Sequence, residues 1–145
     1  MNCRRFLAVS LVVVLGACAA PGAKFTALAP VAADRAHVYV YRQSALYAIG
    51  QSFDVELNQK PVGEIFNASY LLLNVLAGPQ VVTVKPGGLA KNSVYEIQTE
   101  SGKNYFLEYS VNNSLLANPF FLGSGINTRS QEQALKDLQQ LKSAN

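Results

Sequence analysis

The sequence has one histidine, two cysteines and no tryptophan among its 145 residues. Zinc sites in proteins use sets of histidine and cysteine ligands, so the single His37 excludes a site built from several histidines. The same scarcity leaves no convincing set of a serine or cysteine nucleophile with a histidine base. We therefore expect no metal and no cofactor, and His37 is interpreted as a strand-edge residue without a ligand.

Charge is also scarce, with 12 basic and 9 acidic residues spread along the chain. Nucleic-acid binding depends on clustered lysine and arginine, and no such cluster occurs. The phosphate-binding patterns G-x-x-x-x-G-K and G-x-G-x-x-G are absent from the sequence, as is the zinc-protease pattern H-E-x-x-H. These absences exclude the common nucleotide-binding classes, and we expect no nucleic-acid partner.

An apolar segment follows Arg4 and Arg5 near the start of the chain. A short basic region, an apolar region from Phe6 to Leu15 and small residues after it are the three parts of an export signal. A membrane-spanning helix needs about 20 apolar residues. The run from Phe6 to Ala20 is shorter and is interrupted by Gly16, so an export signal is the better interpretation.

The ending Leu15-Gly16-Ala17-Cys18 resembles the lipobox of bacterial lipoprotein signal peptides. In lipoproteins with this pattern, the cysteine receives a diacylglyceryl group, the chain is cut before it, and the new amino group is usually acylated. The resemblance implies that residues 1–17 are a signal peptide cut between Ala17 and Cys18. It also implies that Cys18 is an anchor to the membrane, because two or more acyl chains hold stably. An ordinary soluble secretory signal is the alternative.

The residue after Cys18 is Ala19 rather than aspartate, which in proteobacterial lipoproteins favours export to the outer membrane. The expected location is therefore the bacterial cell envelope, as an outer-membrane lipoprotein facing the periplasm. The cell surface and the inner membrane are the alternatives. Cleavage would also remove Cys3 and leave Cys18 as the one cysteine, so a disulfide is not expected.

Residues 18–34 are rich in alanine and proline and show no sustained period, which predicts a lipidated N-terminus followed by a flexible tether. Sixteen extended residues would reach at most about 50 to 58 Å. Residues 35–145 are long enough for one domain and too short for two ordinary ones.

Alternation of apolar and polar residues predicts a mainly β domain. Phe53, Val55 and Leu57, for example, alternate with polar neighbours. The stretch 36–42 is apolar on both faces, which indicates a central strand. Turn-forming residues separate seven predicted strands, and this spacing favours an antiparallel β-sandwich. The predicted strands are 36–42, 51–58, 62–66, 70–75, 80–85, 93–99 and 103–111.

The last part of the chain changes to helical periodicity. Ser130 and Gln133 form a capping-box pattern, and apolar residues then recur at helical spacing, which predicts one amphipathic helix over 130–142. The apolar stripe favours packing on the sheet or its edge, with a docking helix for a partner as the alternative. The apolar segment 112–129 is interpreted as either one more strand or a hydrophobic loop.

Three segments resemble the uncharacterised bacterial lipoprotein family called domain of unknown function 2846. They are the opening strand A-H-V-Y-V-Y-R at 36–42, the hairpin D-V-E-L-N-Q-K-P-V-G at 54–63, and A-G-P-Q-V-V-T-V at 77–84 after Tyr70. The sequence departs from the family pattern twice. Asn58-Gln59 stands where Asp-Gly is usual in the hairpin, and Gly78-Pro79-Gln80 inverts the usual order of the second turn and lacks its histidine. The resemblance, shared in part with PEGA and transthyretin-like modules, implies a β-sandwich and brings no established activity.

Two functions remain open from the sequence. The first is a non-catalytic binding or assembly module that contacts an unidentified envelope protein. Its partner surface would include Phe120, Phe121, Leu122 and Leu138. The alternative is an envelope glycan or peptidoglycan hydrolase.

The hydrolase would use Asp54 and Glu56, which lie about 6.5 to 7 Å apart on one strand face. Because Ser52 and Asn58 continue this face as a polar row, a solvated surface is the simpler interpretation. We therefore expect a protein that is not an enzyme.

Overall fold

The computed structural model describes residues 20–87, 90–112 and 123–145. Within these residues the chain forms nine strands and one helix. In chain order they are β1 Arg35–Arg42, β2 Phe53–Leu57, β3 Lys60–Ile65, β4 Ser69–Leu76, β5 Gly78–Lys85, β6 Ser93–Thr99, β7 Asn104–Asn112, β8 Gly123–Thr128, α1 Gln131–Leu138 and β9 Lys142–Ser143.

The strands form two sheets. One has five strands in the order β8-β7-β1-β4-β9, and the other has four in the order β3-β2-β5-β6. Most pairs are antiparallel, and the exceptions are β1 with β7 and β4 with β9. The prediction of a mainly β, two-sheet domain with a helix near the C-terminus is confirmed. All seven predicted strands are present, and β8 shows that residues 123–128 form a further strand.

The main core lies between the two sheets. Because side chains alternate along a strand, every second residue of β1 points to the four-stranded sheet. The buried residues of this core are Ala36, Val38, Val40, Phe53, Val55, Ile65, Leu71, Leu73, Val75, Val82, Val84, Leu107, Tyr109 and Ala144. Burial of these apolar side chains is the main stabilising contribution to the sandwich.

A second apolar cluster covers the opposite face of the five-stranded sheet. Tyr39 and Tyr41 of β1 pack there against α1. The full set of buried residues is Phe25, Tyr39, Tyr41, Phe106, Ala134, Leu138 and Leu141. This cluster explains why β1 is apolar on both faces, and it confirms that the helix packs on the sheet.

The helix is shorter than the predicted range 130–142. The Ser130 hydroxyl accepts a hydrogen bond from the Gln133 amide at 3.3 Å, as the capping pattern predicts. The helix ends at Leu138, and the chain then turns so that Lys142 donates its amide to the Ala68 carbonyl. The prediction was wrong at this end because residues 142–143 pair with β4, and this long-range pairing replaces further helical hydrogen bonds.

The prediction of a flexible tether over residues 18–34 was wrong for the part that begins at Ala20. The Gly22 amide donates to Ser143 at 3.0 Å, and the Ser143 amide donates to Ala23 at 2.8 Å. Phe25 is buried in the cluster beneath α1. Composition could not reveal this packing, because the partner strand comes from the other end of the chain. No helix in the described part of the chain is long and apolar enough to cross a membrane.

Candidate functional site

The structure tests the sequence-predicted partner surface at one residue. Leu138 is fully buried in the cluster between α1 and the sheet, so its assignment to an exposed surface was wrong. From the sequence, the apolar stripe of the helix could either pack on the sheet or contact a partner. In the structure, this stripe packs on β1. Phe120, Phe121 and Leu122 lie outside the described residues, as do the proposed cleavage and lipidation residues Ala17 and Cys18.

Asp54 and Glu56 lie on the outer face of β2, as the alternation predicts. Asp54 is exposed, and the half-buried Glu56 forms an ion pair with Lys85 of the neighbouring strand at 2.5 Å. The pairing of β2 with β3 places the exposed Glu64 opposite Asp54, and the pairing with β5 adds Lys85. All three carboxylates lie on a surface of strands rather than in a cleft. Within the described ranges, no group of three or more histidine, cysteine or acidic residues could hold a metal ion.

A shallow cleft of about 340 Å³ lies at the end of the sandwich where β1 begins. Arg35 and Lys60 contribute cations to its described lining, and Leu57 and Leu76 contribute apolar surface. No carboxylate is among these lining residues. The cleft therefore does not contain the pair that a carboxylate-based glycosidase requires.

The other end of β1 carries a buried arginine. Arg42 is 2% exposed, although it is the last residue of the strand. Its Nη1 donates to the Gln51 carbonyl at 3.0 Å, and its Nη2 donates to the carbonyls of Tyr47 and Ala48 at 3.0 and 2.8 Å. One guanidinium thus holds three backbone carbonyls of the connection between β1 and β2.

The Arg42 guanidinium forms no ion pair with any carboxylate of the described residues. Burial lowers the pKa of Arg42, and the nearby Tyr109 hydroxyl opposes this effect. Carbonyl dipoles and the face of the Phe53 ring take the place of a counter-ion. A charged group without an ion-pair partner is costly to bury, so the segment that it holds must be ordered for the arrangement to persist.

We name this segment, residues 43–52, the Arg42 loop. The Ala45 amide donates to Oδ1 of Asn67 at 2.9 Å, which gives the loop a second attachment. Its exposed residues nevertheless include two large aliphatic side chains among uncharged polar ones: Leu46 is 91% exposed and Ile49 is 55% exposed. The loop is therefore fixed to the body of the domain while it presents large aliphatic side chains to solvent.

Sequence reasoning missed the Arg42 loop. Apolar residues do not recur at a regular spacing in residues 43–52. The conformation of this segment depends on contacts with Arg42 that no local pattern encodes. The one available signal was an arginine at the end of a strand that is apolar on both faces. A charged side chain at that position must either extend into solvent or form hydrogen bonds with buried groups. In this structure it donates hydrogen bonds to backbone carbonyls.

Residues 32–124 match the family described as Protein of unknown function (DUF2846). The chain belongs to this family. The DUF2846 match covers β1 to the start of β8 and includes the Arg42 loop, whereas residues 20–25 and α1 lie outside it. No curated protein matches the chain.

The two departures from the DUF2846 pattern are in contact with each other. Asn58 opens the turn between β2 and β3, where it and Gln59 have φ values of 50° and 66°. Its Nδ2 donates to Oε1 of Gln80 at 2.7 Å, and its Oδ1 accepts from the Val81 amide at 2.8 Å. Gln80 in turn donates to the Leu76 carbonyl at 3.0 Å. These residues join two turns of the sandwich, so the departures have a structural explanation.

Proposed function

We propose that the protein is a lipid-anchored component of the bacterial cell envelope whose β-sandwich is a non-catalytic binding module. The Arg42 loop is its binding element, and the partner is another envelope protein. The observation that supports this proposal is the combination of a buried Arg42 with a Leu46 that is 91% exposed. The Cys18 motif supports the anchor, and the membership of DUF2846 is compatible with this function.

The energetics favour a binding role for the loop. Ordering a loop costs conformational entropy, and burying a guanidinium costs solvation free energy. Because Leu46 is exposed, its side chain contributes no burial energy that would offset these costs in the isolated domain. A loop that is already ordered loses less entropy when it binds, so the same arrangement increases affinity for a partner.

The composition of the loop defines the chemistry of the partner. Residues 43–52 contain no charged side chain, and the exposed groups include Leu46 and Ile49. The complementary surface should therefore be an apolar pocket or groove rather than a charged patch. Binding through such a contact should depend only weakly on salt, because charged pairs contribute little.

Cross-linking in living cells tests the proposal. The tagged, full-length protein is cross-linked, purified from membranes and compared with Leu46→Asp, which places a charge at the most exposed point of the loop. Val94→Asp is the matched control, because Val94 is 58% exposed on β6. We expect the partner to be lost with Leu46→Asp and retained with Val94→Asp. Recovery of the same partner in the same amount with the double variant Leu46→Asp, Ile49→Asp would reject the loop as the binding element.

The anchor needs a separate control. A Cys18→Ala variant removes the acceptor of the acyl groups, so the protein should leave the membrane fraction and lose the cross-link. A partner recovered equally well without Cys18 would show that anchorage is not part of the function.

A further inference from the structure

Residues 20–25 form an added edge of the five-stranded sheet, next to β9. Phe25 fixes this segment from one side, with its ring edge-on to Tyr39 and Tyr70 at centroid distances of 6.3 and 5.6 Å. Gly22 allows the close approach, because a Cβ there would lie 2.3 Å from the Asn145 carbonyl oxygen. The segment is therefore part of the folded domain from Ala20 onward.

This packing leaves very little chain between the domain and the proposed anchor. Cys18 and Ala20 are two residues apart, and an extended chain advances about 3.3 to 3.6 Å per residue, so their separation is at most about 7 Å. The headgroup region of one leaflet is about 5 to 8 Å thick. Acyl chains on Cys18 would consequently bring this sheet edge into contact with lipid headgroups.

The same edge carries two lysines directly opposite each other. Lys24 and Lys142 are partners in an antiparallel bridge, so their side chains leave the edge on the same side. Both are exposed, and neither forms an ion pair with another described residue. Like charges placed directly opposite each other destabilise a strand pair, so an anion bound near both lysines would stabilise this edge. Lys24 is also six residues from Cys18, within about 22 Å of it along an extended chain.

We propose that the domain lies directly on the membrane, with this sheet edge towards the bilayer and with Lys24 and Lys142 in contact with anionic phospholipid headgroups. The inference rests on the proposed anchor at Cys18. It replaces a mobile domain on a long tether with a domain of fixed orientation.

This orientation is compatible with protein binding by the Arg42 loop. The loop follows β1, and β4 and β9 separate β1 from the segment at the edge. At about 4.8 Å between neighbouring strands, the loop begins about 14 Å inward from that edge. Its Leu46 can therefore meet a neighbouring envelope protein while the lysines contact lipid.

The test measures the depth of two single positions in the lipidated, full-length protein. A cysteine is introduced at the exposed Ala23 of the edge segment or at the exposed Ser101, in the turn near the start of β1. Each carries a fluorophore, and no other free thiol is expected after processing. The protein is reconstituted into vesicles of phosphatidylcholine, with or without phosphatidylglycerol, that contain a headgroup nitroxide lipid. We expect quenching several-fold stronger for Ala23→Cys than for Ser101→Cys, and stronger still with phosphatidylglycerol.

Charge reversal identifies the contribution of the lysines. Each lysine near an anionic membrane surface favours the docked state of the domain by about fivefold. Lys24→Glu with Lys142→Glu should therefore lower the ratio of docked to undocked protein by at least about 25-fold. Lys60→Glu with Lys91→Glu is the matched control, since both residues are exposed at the four-stranded sheet, Lys60 at the start of β3 and Lys91 just before β6. We expect the control to keep the effect of phosphatidylglycerol.

The outcomes separate this inference from the proposed anchor. Mass spectrometry of the N-terminal peptide reports whether Cys18 is acylated, and its absence would overturn both the anchor and the orientation. Acylated protein with equal quenching at the two positions would overturn the orientation alone. Strong quenching at Ala23→Cys that the Lys24 and Lys142 changes leave unaltered would overturn the headgroup contact.

Discussion

The guanidinium of Arg42 lies over the ring of Phe53, with its central carbon 5.0 Å from the ring centroid. Arg42 ends β1 in the five-stranded sheet, and Phe53 begins β2 in the four-stranded sheet. The contact therefore joins the two sheets at the base of the Arg42 loop. The loop, the arginine and the sheet-to-sheet contact should respond together when any one of them is changed.

Replacement of Arg42 by methionine should release the loop. The change removes the donors to three carbonyls, and we expect a loss of about 1 to 3 kcal/mol in the free energy of unfolding. Urea unfolding measures that loss, and hydrogen exchange should show much faster exchange over residues 43–52. Arg42→Lys keeps the charge without the forked donor geometry, so it should restore only part of the protection. Unchanged exchange in Arg42→Met would show that the loop is ordered by other contacts.

A matched pair of tyrosine variants should change stability in opposite directions. The buried Tyr109 hydroxyl lies near Ser124 without a hydrogen bond of normal geometry to any described residue, whereas the Tyr41 hydroxyl donates to Asp137 at 2.8 Å. We expect Tyr109→Phe to stabilise the protein by about 1 kcal/mol and Tyr41→Phe to destabilise it by about as much. Thermal and urea unfolding of both variants check the signs. Destabilisation by Tyr109→Phe would indicate that this hydroxyl has a partner in solution.

The same tyrosines predict the response of stability to alkaline pH. Burial raises the pKa of Tyr41, and the hydrogen bond to Asp137 raises it further. Burial also raises the pKa values of Tyr39 and Tyr109. The unfolded chain then loses these protons near pH 10 while the folded protein keeps them, so the folded protein binds more protons above that pH. The stabilisation is fully present below about pH 10 and is lost as the pH rises further.

Urea unfolding at a series of alkaline pH values measures this loss. The slope of the unfolding free energy against pH measures the difference in bound protons between the folded and the unfolded protein, and Tyr41→Phe should reduce this difference by up to one proton. Tyr95→Phe is a suitable control, because Tyr95 is half-buried on β6 of the other sheet, whereas Tyr70 itself raises the pKa of Tyr39. Equal slopes for Tyr41→Phe and the unmodified protein would contradict the assignment of the alkaline loss to Tyr41.

The sequence predicted the strands well and the long-range pairing poorly. Period-two alternation and turn residues sufficed for β1 to β7, because those signals are local. Strand β9 has two residues, and the segment at residues 20–25 pairs with it from the opposite end of the chain, so neither has a local signal. The candidate site shows the same limit: Arg42 is visible in the sequence, but its three carbonyl partners depend on the path of the loop.

Release of the N-terminal segment should not require unfolding of the sandwich. Phe25→Ala removes the ring that packs beneath α1 and should cost about 3 to 5 kcal/mol locally. Gly22→Ala should act through the clash with Asn145 and Ser143. Both changes should expose residues 20–29 to limited proteolysis, whereas Ala23→Ser, at an exposed position, should not. Equal protease resistance in all three variants would contradict the packing of this segment.

The carboxylates of β2 separate a binding module from a hydrolase. Because the proposed function is non-catalytic, Asp54→Asn and Glu56→Gln should leave the partner cross-link unchanged. In an assay with peptidoglycan, both variants and the unmodified protein should release the same amount of soluble fragment. Glu56→Gln removes the ion pair with the partly exposed Lys85, which should cost less than about 1 kcal/mol. Measured hydrolysis that either amide abolishes, with stability retained, would overturn the binding proposal, because lost packing would not then explain the lost activity.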